Sequence, residues 1–88
     1  MTVEMKIQQI ENILTENSIE FETSGEYINI LNTSSMTRIH VFEFQCGDVG
    51  VLTAVVVQEF DESGNQIYSY EFDRLGKAFL KRITRNLG

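Results

Sequence analysis

His40 and Cys46 are the only histidine and the only cysteine in the 88-residue chain, and Glu43 and Asp48 lie within a few residues of them. Together they are the residues from which acid–base or thiol chemistry could be assembled. A general base must lie within hydrogen-bond reach of its orienting carboxylate. His40 and Glu43, however, fall in the run TRIHVFEFQ, which alternates like a strand, and odd and even positions of a strand point to opposite faces. Cys46 follows His40 by six residues, at the far end of that strand, with no second base beside it. One Cys and one His fall short of the four ligands zinc takes, and a lone Cys makes no internal disulfide. FDESGNQIYSYEF has acids, Gly and Asn in proximity, but it lacks the spacing of a calcium loop. No phosphate-binding glycine loop and no Ser-His-Asp set is present. The expectation is a non-enzymatic protein without metal or cofactor. A small enzyme working through His40 and Cys46 ranks last.

Charge is the least ordinary feature. The net formal charge is −6, yet residues 1–73 hold all 13 acids with two bases, a balance of −11, while residues 74–88 hold five bases and no acid, +5. Two contact surfaces follow. Carboxylates at Glu20, Glu22, Glu26, Glu59, Asp61 and Glu62 could meet a basic partner, either as plain protein contact or by imitating the phosphates of a nucleic acid. Arg74, Lys77, Lys81, Arg82 and Arg85 could instead neutralise phosphates directly. The acidic body opposes that second use by repelling polyanions at a distance. The basic segment also lacks the interleaved aromatics of a single-strand binder, and cations near a helix C-terminus have a structural role of their own.

The elements that must carry these residues read in order. Thr2 can cap a helix to about Glu16, with Val3, Ile7, Ile10 and Leu14 on one side and Ile13 beside them. Ile19–Thr23 alternates as a short strand, Ser24-Gly25-Glu26 turns, and Tyr27–Asn32 is the next strand. Thr37–Gln45 is a third, with Ile39 and Val41 on one face and Arg38, His40, Phe42 and Phe44 on the other. Gly50–Phe60 is apolar on both faces, as a central strand is. The turn Asp61–Asn65 leads into Gln66–Phe72. After Phe72 the period changes from two to 3.6. With Asp73 as N-cap, Leu75, Gly76, Phe79, Ile83 and Leu87 share one side of a helix, and most of the cations gather opposite.

The prediction is one α+β domain over residues 1–88, in the order α-β-β-β-β-β-α. Its sheet is an antiparallel five-stranded meander with the N- and C-terminal helices packed on one face, the alternative being one helix on each face. A simple turn at Cys46–Asp48 would pair Phe44 with Val51 and Phe42 with Thr53. On that register Phe42, Phe44, Val51, Val55 and Val57 line the uncovered side, and Phe42, Phe44, Val55 and Val57 become candidates for an interface, since exposed apolar patches mark contact sites. The face that Tyr68, Tyr70 and Phe72 join stays open. A four-residue loop pairs Phe60 with Asn65, and a five-residue loop pairs it with Gln66 and reverses the set.

An opening helix followed by IEFETSGEYINI resembles the start of small bacterial α+β chaperone-like domains that dimerise and hold other proteins. A short, acidic α+β chain without a catalytic constellation is also similar in outline to phage-encoded inhibitors of the anti-CRISPR and uracil-glycosylase-inhibitor kinds. Neither resemblance rests on a motif, and neither assigns a role to any residue. The resulting expectation is a cytoplasmic protein-binding module, a bacterial or phage inhibitor or accessory protein. Its partner would be a basic or nucleic-acid-handling protein, and it could homodimerise. The alternatives are a nucleic-acid-binding domain and a small dimeric chaperone-like domain. The start MTVEMKIQQIENIL has no sustained apolar run, and no stretch approaches a membrane span, so neither a secretion leader nor membrane insertion is expected.

Overall fold

The computed structural model describes residues 2–87. Helix α1 (Val3–Glu16) starts as its sequence requires: the Thr2 hydroxyl accepts a 3.1 Å hydrogen bond from the Met5 N–H and satisfies one of the donors a helix start leaves free. Its buried residues are Ile7, Ile10 and Leu14. The strands β1 (Phe21–Ser24), β2 (Tyr27–Ile30), β3 (Thr37–Cys46), β4 (Gly50–Phe60) and β5 (Gln66–Phe72) precede helix α2 (Lys77–Thr84). They form one sheet in the order β1-β2-β3-β4-β5, with every neighbour antiparallel. This is the α-β5-α meander expected from the pattern.

Both helices lie on one face. A single buried cluster joins Ile7, Ile10 and Leu14 of α1 with Ile28, Ile30, Ile39, Val41, Val55 and Val57 of the sheet and Phe79 and Ile83 of α2. Phe79 meets Phe72 edge-on at 5.5 Å, a favoured arrangement of two ring quadrupoles. Helix α2 is shorter than its period suggests. Asp73 does not cap it; Gly76 occupies the N-cap without a side-chain bond, because residues 73–76 are spent turning the chain back over the sheet. Leu87 leaves the helix and bridges to Thr33, while the Asn86 carbonyl accepts the Ser34 N–H at 2.7 Å. The C-terminal tail is thereby tied to the β2–β3 loop.

Two registers decide which side chains face out. The β3–β4 turn is a single 3₁₀ turn, Gly47–Val49, closed by the pair Cys46–Gly50, so Phe44 lies opposite Leu52 and Phe42 opposite Ala54. The expected pairing with Val51 and Thr53 is off by one residue, and a slip of one moves every side chain of a strand to the other face. Val55 and Val57 therefore belong to the helix-covered core, opposite Val41 and Ile39. At the β4–β5 turn Phe60 pairs with Gln66, the five-residue loop, but Glu59 pairs with Tyr68, so Ile67 is an extra, bulged residue. The bulge cancels the reversal the loop alone would impose. It sets Tyr70 beside Val57 and Phe72 beside Val55, on the helix side.

Candidate functional site

The face without helices carries a continuous row of rings. Tyr27 and His40, paired across β2 and β3, stack at 4.3 Å with 15° between their planes. His40 meets Phe42 at 4.7 Å, and Phe42 meets Phe44 at 6.3 Å. The row exists because His40, Phe42 and Phe44 alternate along β3, and the β2 register brings Tyr27 alongside. Leu52, Ala54 and Val56 lie beside it on β4. At one end the Arg38 guanidinium sits 4.3 Å from the Tyr27 ring centroid and 4.9 Å from that of Phe60, while its Nε donates to Gln58 Oε1 at 3.0 Å. Each ring pair contributes about 0.5–1.5 kcal/mol beyond its area, and each exposed cation–π contact ~0.5–1 kcal/mol. The row is held in place before any partner arrives. Phe44 and Leu52 remain 37% and 39% exposed.

Carboxylates stand around this face, though not all the expected ones. Glu22 lies on the same side as Asn29 and Arg38, and Glu26 Oε1 is 3.4 Å from His40 Nε2. Glu71, opposite Val56, joins them. It was not among the sequence candidates, because the face of β5 hung on the bulge. Glu20 is held by Asn32 Nδ2 at 2.7 Å. Asp61 Oδ1 accepts the Ser63 and Asn65 N–H groups, both at 2.9 Å, and so serves the turn; Glu62 is exposed there. Glu59 is a correction. It is only 2% exposed on the helix side, opposite Thr37 and Tyr68, and its Oε1 has no hydrogen-bond partner among the described residues. Alternation places it with Val55 and Val57, which the sequence had turned outward. Of the four apolar interface candidates, Phe42 and Phe44 lie on the open face; Val55 and Val57 are fully buried under the helices.

His40 takes its carboxylate from the β1–β2 turn, at Glu26, while Glu43 points to the helix side, opposite Thr53. Cys46 follows six residues along the same strand, roughly 20 Å away at ~3.4 Å per residue. No group of three potential metal ligands occurs among the described residues.

The cations of the C-terminal segment divide. Arg82 of α2 stacks its guanidinium 3.7 Å from the Tyr70 centroid, and Arg85, just past the helix, lies 5.9 Å from that of Tyr68. Arg74, Lys77 and Lys81 are exposed. Among the described residues none of the five forms an ion pair, although the chain has 13 acids. The one ring of the basic segment, Phe79, is buried in the core, and the bulge in β5 supplies two that face the cations. Among the described residues no helix is long and apolar enough to cross a membrane. No family model, no curated protein and no solved structure matches the chain.

Proposed function

We propose that this chain is a non-enzymatic protein-binding module that takes its partner on the open face of the sheet. The observation that supports this most is the preformed row Tyr27–His40–Phe42–Phe44, left uncovered by both helices and continued by Leu52. An apolar, aromatic centre with a polar rim is the anatomy of a protein contact. The rim is acidic at Glu22, Glu26 and Glu71, so the partner presents an apolar patch edged by Lys or Arg. In this reading the chain works by occupying another protein, as an inhibitor or accessory protein does, and a basic, nucleic-acid-handling protein is the natural target.

The test is capture from lysate with the native chain and with a Phe44→Glu/Leu52→Glu variant, each with and without nuclease. Both positions are over a third exposed, so the variant keeps the core and should melt like the native protein. The expected result is one protein retained by the native chain, released by the variant and indifferent to nuclease. Retention by the variant, or recovery that depends on nucleic acid, would overturn the reading. A homodimer through the same face predicts that the native chain sediments as a dimer and Phe42→Glu as a monomer.

A further inference from the structure

The opposite side of the molecule holds a second surface, at the edge of the sheet. Strand β5 pairs with β4 alone and ends the strand order, so its outer row of backbone N–H and C=O groups has no strand beside it. Proteins normally blunt such an edge with lysine, proline or extreme shortness. The other edge, β1, is short, four residues, and carries Glu22. Strand β5 also carries one acid, Glu71, on the open-face side, but it runs seven residues, QIYSYEF, with no proline and no lysine, and its bulge sits at one end, leaving Tyr68–Phe72 in regular register.

Over this edge stand two arginines, Arg82 stacked on a ring at 3.7 Å and Arg85 5.9 Å from another. Tyr68 and Tyr70 lie ring to ring at 5.9 Å on the helix side of β5, with Arg82 above Tyr70 and Arg85 above Tyr68. A guanidinium stacked on a ring is fixed in plane and keeps its N–H edge free for a two-pronged bond to a carboxylate. Neither has an ion-pair partner among the described residues.

We propose that the β5 edge and these arginines form a docking site for an extended acidic segment of another protein, which adds to the sheet as a sixth strand. A strand there would lie about 4.8 Å from β5 and turn alternate side chains to the helix side, ~6.8 Å apart along the strand. Two carboxylates spaced by one residue then fall beside Tyr68 and Tyr70, within reach of Arg85 and Arg82. The segment is an acid-x-acid strand. The free backbone row selects a polypeptide over a nucleic acid, which has no matching ladder of donors and acceptors. The −11 body also repels a polyanion more than a short strand with two charges.

The experiment uses the native chain and a labelled synthetic peptide of about nine residues, with glutamates at alternate positions between Thr and Val, read by fluorescence anisotropy. A peptide of the same composition with adjacent glutamates should bind about tenfold more weakly. Backbone N-methylation of the alternating peptide should abolish binding, and Arg82→Gln with Arg85→Gln should weaken it about tenfold or more. Phe44→Glu/Leu52→Glu, on the other face, should leave it unchanged, which keeps this site separate from the open-face reading. Equal binding of the two peptides, indifference to N-methylation, or no binding would overturn the proposal. Tighter binding of an oligonucleotide of equal charge would make the footprint a nucleic-acid site instead. Self-association that the arginine variants abolish would give the edge to a second copy of the chain.

Discussion

Single residues here change meaning with the direction they face. Glu59 is one acid among 13 in the sequence, yet it is buried with an oxygen that finds no partner among the described residues. An unsatisfied buried polar group costs ~1–3 kcal/mol. Glu59→Leu should therefore raise unfolding free energy by about 1–3 kcal/mol in a urea titration; a loss would mean that the carboxylate is held by a group worth more than its burial costs. Phe79 is a simpler case: fully buried and edge-on to Phe72. Phe79→Ala should cost about 3–5 kcal/mol, and a loss under ~1 kcal/mol would show that α2 contributes little to the core. His40 has the opposite lesson. Its nearest acid in sequence, Glu43, is on the other face, and its partner Glu26 comes from a separate turn.

At the scale of elements, the two turns flanking β4 set both faces of the molecule. Gly50 closes the first with φ at +99°, a backbone conformation that side chains other than glycine rarely adopt. Gly50→Ala should cost about 1–3 kcal/mol although the added methyl would meet nothing within 4 Å; a neutral result would show that the turn relaxes to another shape. In the second turn, Ile67 is the extra residue. Deleting it leaves Phe60 opposite Gln66 and Glu59 opposite Tyr68, so the tyrosines keep their face and the loss should stay under about 2 kcal/mol. Deleting Ser69 instead reverses Tyr68 relative to Tyr70 and Phe72 and should unfold the chain or scramble β5. Circular dichroism and thermal melting of the two deletions compare them directly; equal effects would refute the role given to the bulge.

The whole molecule is a two-layer body with one covered and one bare sheet face, and with its charges sorted by region. Among the described residues no Lys or Arg pairs with a carboxylate, and His40–Glu26 is the one close contact of a basic with an acidic side chain. The repulsion within the −11 body is therefore left without compensation from close pairing to the five C-terminal cations. Raising NaCl from low to moderate concentration screens that repulsion and should raise the melting temperature. A fall would show that long-range attraction between α2 and the acidic body holds the fold together.

The sequence by itself determined the element order and the antiparallel meander. These follow from local signals: apolar periods of 3.6 and two, the Thr2 cap, and the turn residues between strands. It also placed Arg38, His40, Phe42 and Phe44 on one face, since alternation within a strand needs no partner. What only the tertiary structure decided is the relation between strands. Whether the β3–β4 turn spends three residues or four, and whether Ile67 bulges, are differences of a single residue. They depend on how well the helices pack when Val55, Val57, Tyr70 and Phe72 turn inward together. That choice put Leu52 beside Phe44, buried Glu59, brought Glu71 to the rim, and set two tyrosines beneath two arginines that the sequence had left without aromatic company.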